Sequence, residues 1–141
     1  MTHQPPPDDT AFMHEFEAGD IKPADFNHAA HVRLAYVYLC ANDVDASVAR
    51  MKDALHAFLE RNGIPETKYH ETLTRAWVMA VNHFMQSRGP SDSAAAFMTA
   101  NPELLASKIM LTHYSAEVLF SPEARASFVA PDIQPIPPPI G

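Results

Sequence analysis

A short polar cluster interrupts a segment that is otherwise apolar. It runs from Asn27 to Arg33 and contains His28 and His31, three residues apart. On a helix this spacing places both imidazoles on one face, where they can hold one metal ion. Arg33 is the only Lys, Arg, Asp or Glu between Asn27 and Asn42. Polar groups in so apolar a helix need partners once they are buried, so this cluster is a candidate site.

A second polar cluster runs from Tyr69 to Thr74 and contains the adjacent pair His70 and Glu71. Helical periodicity places His70, Thr74 and Trp77 on one stripe, with Glu71 about a quarter turn away. We therefore expect His70 and Thr74 to point into the core together.

The two clusters are predicted to face each other across one pocket. Both fall in the first turns of their helices, and the intervening helix Asp45–Glu60 allows the chain to reverse direction twice. Two reversals restore a parallel component, which brings the two N-terminal ends together. His28, His31, His70 and Glu71 would then converge as a ligand set suited to iron, zinc or manganese.

Several functions are compatible with these residues. The leading hypothesis is a metal-dependent enzyme, a hydrolase or non-haem oxidoreductase, that acts on a small molecule. In a metal-free alternative, His70 and Glu71 form an acid–base pair and Arg33 binds an anion, or the same pocket belongs to a small-molecule binding protein. The clusters could also be purely structural in an interaction module, with Arg33 paired to Glu71 or Asp25. The catalytic candidates are Glu71, His70 and Arg33, and the substrate-binding candidates are Arg33, Tyr38, Tyr69, Thr74 and His113.

An all-α fold must position these residues. The 4 glycines are few and most of the 13 prolines lie near the two ends, which favours helices over a sheet. The sequence predicts an irregular single-domain bundle of five to seven helices at 10–130, between a flexible lead-in at 1–9 and an extended Pro-rich tail at 131–141. The first predicted segments are a short helix from Thr10 that stops at Gly19 and a buried helix from about Phe26 to Asn42 that Asp25 caps. They are followed by the amphipathic helix after Asp43 or Asp45 and by a helix from about Lys68 to Ser87 that Thr67 caps. The last predicted segments are a short helix from Ser91 or Ser93, a helical segment Glu103–Tyr114 and a helix after Ser121.

The composition of the chain indicates which binding partners and which cellular compartment to expect. The chain has a formal net charge of −7 and a pI near 5.5, which argues against nucleic acid or an anionic membrane as partner. No apolar run approaches the ~20 residues of a membrane span. The first residues lack the basic and apolar regions of a signal peptide, and Cys40 stands alone. We therefore expect a cytoplasmic protein with a small-molecule substrate or ligand, and leave homo-oligomerisation open.

The motifs of this chain resemble those of a family of small bacterial helical proteins. The resemblance covers about Phe16 to Pro137 and implies a helical fold with the motif residues as the site, but no reaction. Its most specific element is Tyr-His-Glu-Thr-Leu-Thr. The motifs are Phe-x-His-x-x-His-x-Arg-x-Ala (Phe26, His28, His31, Arg33, Ala35), Tyr69 to Thr74, His113-Tyr114-Ser115, Ser121-Pro122-Glu123-Ala124-Arg125 and Phe128-Val129-x-Pro131-Asp132.

Overall fold

The computed structural model describes residues 6–87, 93–134 and 136. Within them the chain forms helices and no strand, which confirms the predicted all-α fold. Short 3-10 turns at Pro23–Asp25, Glu66–Lys68, Pro102–Leu105 and Ser107–Thr112 connect the helices. The α-helices are α1 (Pro7–Ala18), α2 (His28–Ala41), α3 (Val44–Arg61), α4 (Glu71–Ser87), α5 (Ala94–Ala100), α6 (Ala116–Leu119) and α7 (Pro122–Ala126).

The predicted buried helix is α2, and it lies at the centre of the bundle. It packs against α1, α3, α4 and α5, and its residues from Leu34 to Leu39 are all buried. The scarcity of charge in its sequence is thus explained by contact on several sides. Across the described ranges, no helix combines the length and apolarity needed to cross a bilayer.

Helix α2 begins two residues later than predicted and has a different cap. The Asn27 side chain accepts a hydrogen bond from the Ala30 amide at 2.9 Å, so Asn27 occupies the N-cap position. Asp25, the predicted cap, lies in the preceding 3-10 turn. For α3, Asp43 rather than Asp45 caps the helix, by accepting from the Ala46 amide at 2.8 Å.

Helix α1 starts within the predicted lead-in. It begins at Pro7, and Asp9 is buried rather than solvated. The Asp9 carboxylate accepts hydrogen bonds from Arg33 Nε at 2.8 Å and from the Ala94 amide at 2.7 Å, which ties α1 to α2 and α5. Residues 1–5 of the predicted lead-in lie outside the described residues. At the other end α1 stops at Gly19 as predicted, with a left-handed φ of 86°.

The segment Glu103–Tyr114 was predicted as one helix and is instead two 3-10 turns with a break at Ala106. Leu104 and Met110 are buried, six residues apart. Each of the two turns therefore contributes one side chain to the core. Ser93 caps α5 through the Ala96 amide, as predicted. The predicted Gly89-Pro90 stop and the alternative cap Ser91 lie outside the described residues.

The C-terminal segment follows α7 without regular structure. Residues 131–134 are irregular, and the side chain of Ile136 is buried in the core. The described part of the predicted tail therefore packs on the domain. Residues 135 and 137–141, which hold most of its prolines, lie outside the described residues.

Candidate functional site

The two polar clusters line one pocket, as the sequence predicted. The pocket has a volume of about 290 Å³, at the small end of the roughly 300–1,000 Å³ typical of ligand sites. The start of α2, the C-terminal half of α3 and the start of α4 form its walls. We call it the histidine pocket, and its lining residues are Phe26, Asn27, His28, His31, Leu55, Leu59, Lys68, Tyr69, His70, Leu73 and Thr74.

His31 is the one histidine of this pocket whose ring has no hydrogen bond to the protein among the described residues. Its ring is half-buried and meets the Phe26 ring edge-on at 5.7 Å between centroids. Burial, together with the neighbouring His28, lowers the pKa of His31 from 6.5 to about 4. A neutral imidazole has one N–H donor and one acceptor nitrogen. His31 therefore presents both a donor and an acceptor to a bound molecule at neutral pH.

The lowered pKa of His31 predicts a loss of stability in mild acid. Unfolded histidine titrates near ~6.5, so between this pH and about 4 the unfolded chain binds a proton that folded His31 does not. The free energy of unfolding therefore falls as the pH decreases through this window. An NMR titration of the ring should give a midpoint near 4, and His31→Asn should flatten the pH dependence of stability. His14→Asn, which replaces an exposed imidazole, is the matched control variant for stability, and a midpoint near 6.5 at His31 would contradict the assignment.

His70 lines the same pocket, but both of its ring nitrogens have protein partners. Nε2 lies 2.7 Å from the Leu119 carbonyl oxygen, and Nδ1 accepts from the Leu73 amide at 3.1 Å. Because a carbonyl only accepts, Nε2 carries the proton and Nδ1 is free to cap α4. His70, not Thr67, is thus the cap of α4. Burial lowers the pKa of His70, which keeps this neutral form at pH 7.

His28 also uses one ring nitrogen for a hydrogen bond within the protein. Its Nε2 lies 2.8 Å from the Leu104 carbonyl oxygen, so Nε2 is the donor. The ring packs against Trp77 at 4.5 Å between centroids. His28 therefore joins the start of α2 to the 3-10 turn at Pro102–Leu105, and its Nε2 is occupied.

Glu71 faces away from the histidine pocket. Its Oε1 accepts from Lys52 Nζ at 2.9 Å and from the Tyr69 hydroxyl at 3.4 Å. It lines a neighbouring cleft of about 480 Å³ between α3 and α7. Tyr69 borders both spaces, and burial raises its pKa to about 12. Glu71 and the nitrogens of His70 thus have separate partners rather than forming an acid–base pair.

Three other predicted site residues lie outside the pocket. Arg33 binds Asp9 at 2.8 Å and covers the Phe12 ring, not Glu71 or Asp25. Tyr38 donates to Glu17 of α1 at 2.7 Å. His113 Nδ1 donates to the Gln134 carbonyl at 2.9 Å. Thr74 does line the pocket, and its hydroxyl donates to the His70 carbonyl at 2.8 Å.

The predicted metal ligands are not assembled into a centre. In the part of the chain that the structure describes, no group of three or more His, Cys, Asp or Glu side chains is arranged to hold a metal ion. Ligation by His70 would require one of its two hydrogen bonds to break. A bound iron, zinc or manganese ion remains a prediction of the sequence.

The apolar wall of the pocket and its lysine, Lys68, were not predicted from the sequence. Leu55 and Leu59 come from α3, which was predicted as an outer amphipathic helix with its apolar face on the core. Lys68 immediately precedes the second polar cluster, and Leu73 lies within it. In the sequence, the one indication that Lys68 lies at the pocket is its position next to Tyr69 and His70.

The motif residues of the second cluster hold the C-terminal segment. The Thr72 hydroxyl donates to the Ser127 carbonyl at 2.9 Å and accepts from the Val129 amide at 3.0 Å. From the other side, the Tyr114 hydroxyl donates to the Val129 carbonyl at 2.6 Å, and the Ser115 amide donates to Asp132 at 2.8 Å. The motifs that suggested a site thus also bind one another.

A larger cleft of about 510 Å³ lies elsewhere, between the α2–α3 connection and α4. Its charged groups are already engaged, since Arg75 binds Asp45 at 3.0 Å and Asp43 caps α3. The histidine pocket, in contrast, contains Lys68 and His31 without such partners among the described residues. No relative supplies a function for either space, because comparison with protein-family models, with curated proteins and with solved structures found no match.

Proposed function

We propose that this protein binds a small organic molecule in the histidine pocket and acts as a binding or sensing protein. The observation that carries the proposal is His31, a neutral imidazole that lines the pocket and has no hydrogen-bond partner within the described residues. The ring is half-buried on the pocket wall, so both of its nitrogens can bond to a molecule that fills the pocket. A ligand that accepts from one nitrogen of His31 and donates to the other would satisfy it.

Binding is a better match to these residues than acid–base catalysis. A general base works best when its pKa lies near the operating pH, whereas the pKa of His31 is about 4. His70 uses both nitrogens within the protein, and Glu71 binds Lys52. The pocket therefore favours recognition of a molecule over transfer of its protons.

The proposal is tested by screening a diverse metabolite library against the full isotope-labelled chain by NMR. We expect ligands that shift the His31 ring and the methyl groups of Leu59 and Leu73, and that raise the melting temperature by mass action. Leu55→Trp should fill the pocket and abolish these shifts. Met79→Trp, which changes the larger cleft instead, is the matched control and should leave them intact.

Two results would overturn the proposal. One is a screen in which every ligand leaves the His31 ring unshifted. The other is about one equivalent of iron, zinc or manganese, found by elemental mass spectrometry in untagged protein and lost in His31→Ala. That second result would establish the metal-dependent hypothesis in place of a metal-free pocket.

A further inference from the structure

The charge of the histidine pocket is opposite to that of the whole protein. The chain has a formal net charge of −7. Of the described residues that line this pocket, none is Asp or Glu, and Lys68 is the one Lys or Arg. Complementary charge is how a binding surface selects the sign of its partner. A pocket of this kind in an acidic protein favours an anion.

Lys68 is available to such an anion. Its side chain is exposed and makes no ion pair within the described residues. Glu66 of the same 3-10 turn and Glu71 of α4 have other contacts, since Glu71 binds Lys52 at 2.9 Å and Glu66 lies 3.5 Å from His56. The Lys68 ammonium group is therefore not bound to either of these two carboxylates.

Neutral donors accompany Lys68. Asn27 uses its Oδ1 to cap α2, which leaves the amide Nδ2 to donate, and the neutral His31 ring supplies one N–H. The pocket also lies at the first turns of α2 and α4, whose partial positive charge adds to the same field. One full charge with two neutral donors suits a single carboxylate better than a dianionic phosphate.

Four of the lining residues form an apolar wall. Phe26, Leu55, Leu59 and Leu73 come from three different parts of the chain and contribute only hydrocarbon surface to the pocket. Burial of apolar area contributes about 25 cal/mol per Å², so this wall selects a hydrocarbon body. A pocket of about 290 Å³ limits that body to a small one.

We infer that the ligand of the histidine pocket is a small apolar carboxylate, bound through Lys68, Asn27 and His31 at its head and through the leucines and Phe26 along its body. This inference rests on the proposed function, because it names the class of molecule that the same pocket accepts. It predicts that removal of the ligand's charge weakens binding more than removal of any other polar group.

The test uses four probes that share one aromatic body, namely phenylacetate, phenylacetamide, phenethylamine and phenyl phosphate, titrated into the full chain and followed by NMR. We expect phenylacetate to bind at least about tenfold more tightly than the other three. Lys68→Gln should weaken phenylacetate about tenfold and leave phenylacetamide unchanged. Lys52→Gln, a second exposed lysine whose ammonium group is already bound to Glu71, is the matched control and should leave both unchanged.

Other outcomes separate this inference from the proposed function. Three results would overturn the carboxylate inference: equal affinity for the amide and the carboxylate, a preference for the amine, or no binding by any probe. The library screen tests the proposed binding function independently of these results. Tighter binding of phenyl phosphate that depends on Lys68 would replace the carboxylate by a phosphate ester. A loss of phenylacetate affinity in Lys52→Gln equal to that in Lys68→Gln would show general charge attraction instead of a built site.

Discussion

Replacing His70 with alanine is expected to lower the free energy of unfolding by about 3 kcal/mol. The residue is 8% exposed, and its ring makes two hydrogen bonds within the protein. Loss of the cap on α4 costs ~1 kcal/mol. The buried Leu119 carbonyl left without a donor adds roughly 1–3 kcal/mol. Urea unfolding followed by circular dichroism measures the change.

A graded pair of variants separates the two contributions of His70. Asparagine is a good N-cap residue but is too short to replace the imidazole at Leu119, so His70→Asn should recover about 1 kcal/mol of the loss. His14→Ala removes an exposed imidazole from α1 and should change stability by less than about 0.5 kcal/mol. If His70→Ala were as stable as the parent protein, the hydrogen bonds of His70 would not explain its burial.

Replacing Asp9 with alanine is expected to destabilise the fold by about 3 kcal/mol as well. The Asp9 side chain is 6% exposed and accepts from both Arg33 and the Ala94 amide. Removing one partner of a buried ion pair costs about 3–5 kcal/mol. We take the lower end, because Arg33 is 30% exposed and regains water once it is released. Thermal unfolding of the variant and the parent at pH 7 gives the difference.

Controls for Asp9 are available in the same turn of the same helix. Asp8 is exposed, and Arg33 contacts its carbonyl rather than its carboxylate, so Asp8→Ala should cost only the few tenths of a kcal/mol of its helix-end charge. The double variant Asp9→Ala with Arg33→Ala should be less destabilised than the sum of the single variants. Strict additivity would show that the two side chains do not stabilise each other.

Both predictions concern hydrogen bonds of residues that were candidates for catalysis in the sequence and that stabilise the fold in the structure. His70 and Arg33 were candidates for catalysis because buried polar groups in an apolar helix require partners. The requirement is met by a carbonyl and an amide for His70 and by a carboxylate for Arg33. The physical premise was right, and the partners are in the protein itself.

The sequence alone determined the helical class and the convergence of the two clusters. Both follow from local rules, since apolar spacing of three and four residues sets the buried face of a helix. Two reversals of the chain bring the starts of α2 and α4 to one end. His28, His31, His70, Tyr69 and Thr74 accordingly lie on one pocket.

Only the tertiary structure decided which groups those side chains contact. The partner of His28 is a backbone carbonyl 76 residues away, and that of His70 is another at a separation of 49. Every residue carries a carbonyl, so no pattern of residue types can mark the two that are used. Glu71 fell outside the pocket for a related reason, because Lys52 of α3 faces it across the packed helices. Local periodicity fixes the direction of a side chain along its own helix, whereas the identity of its partner depends on how distant segments pack.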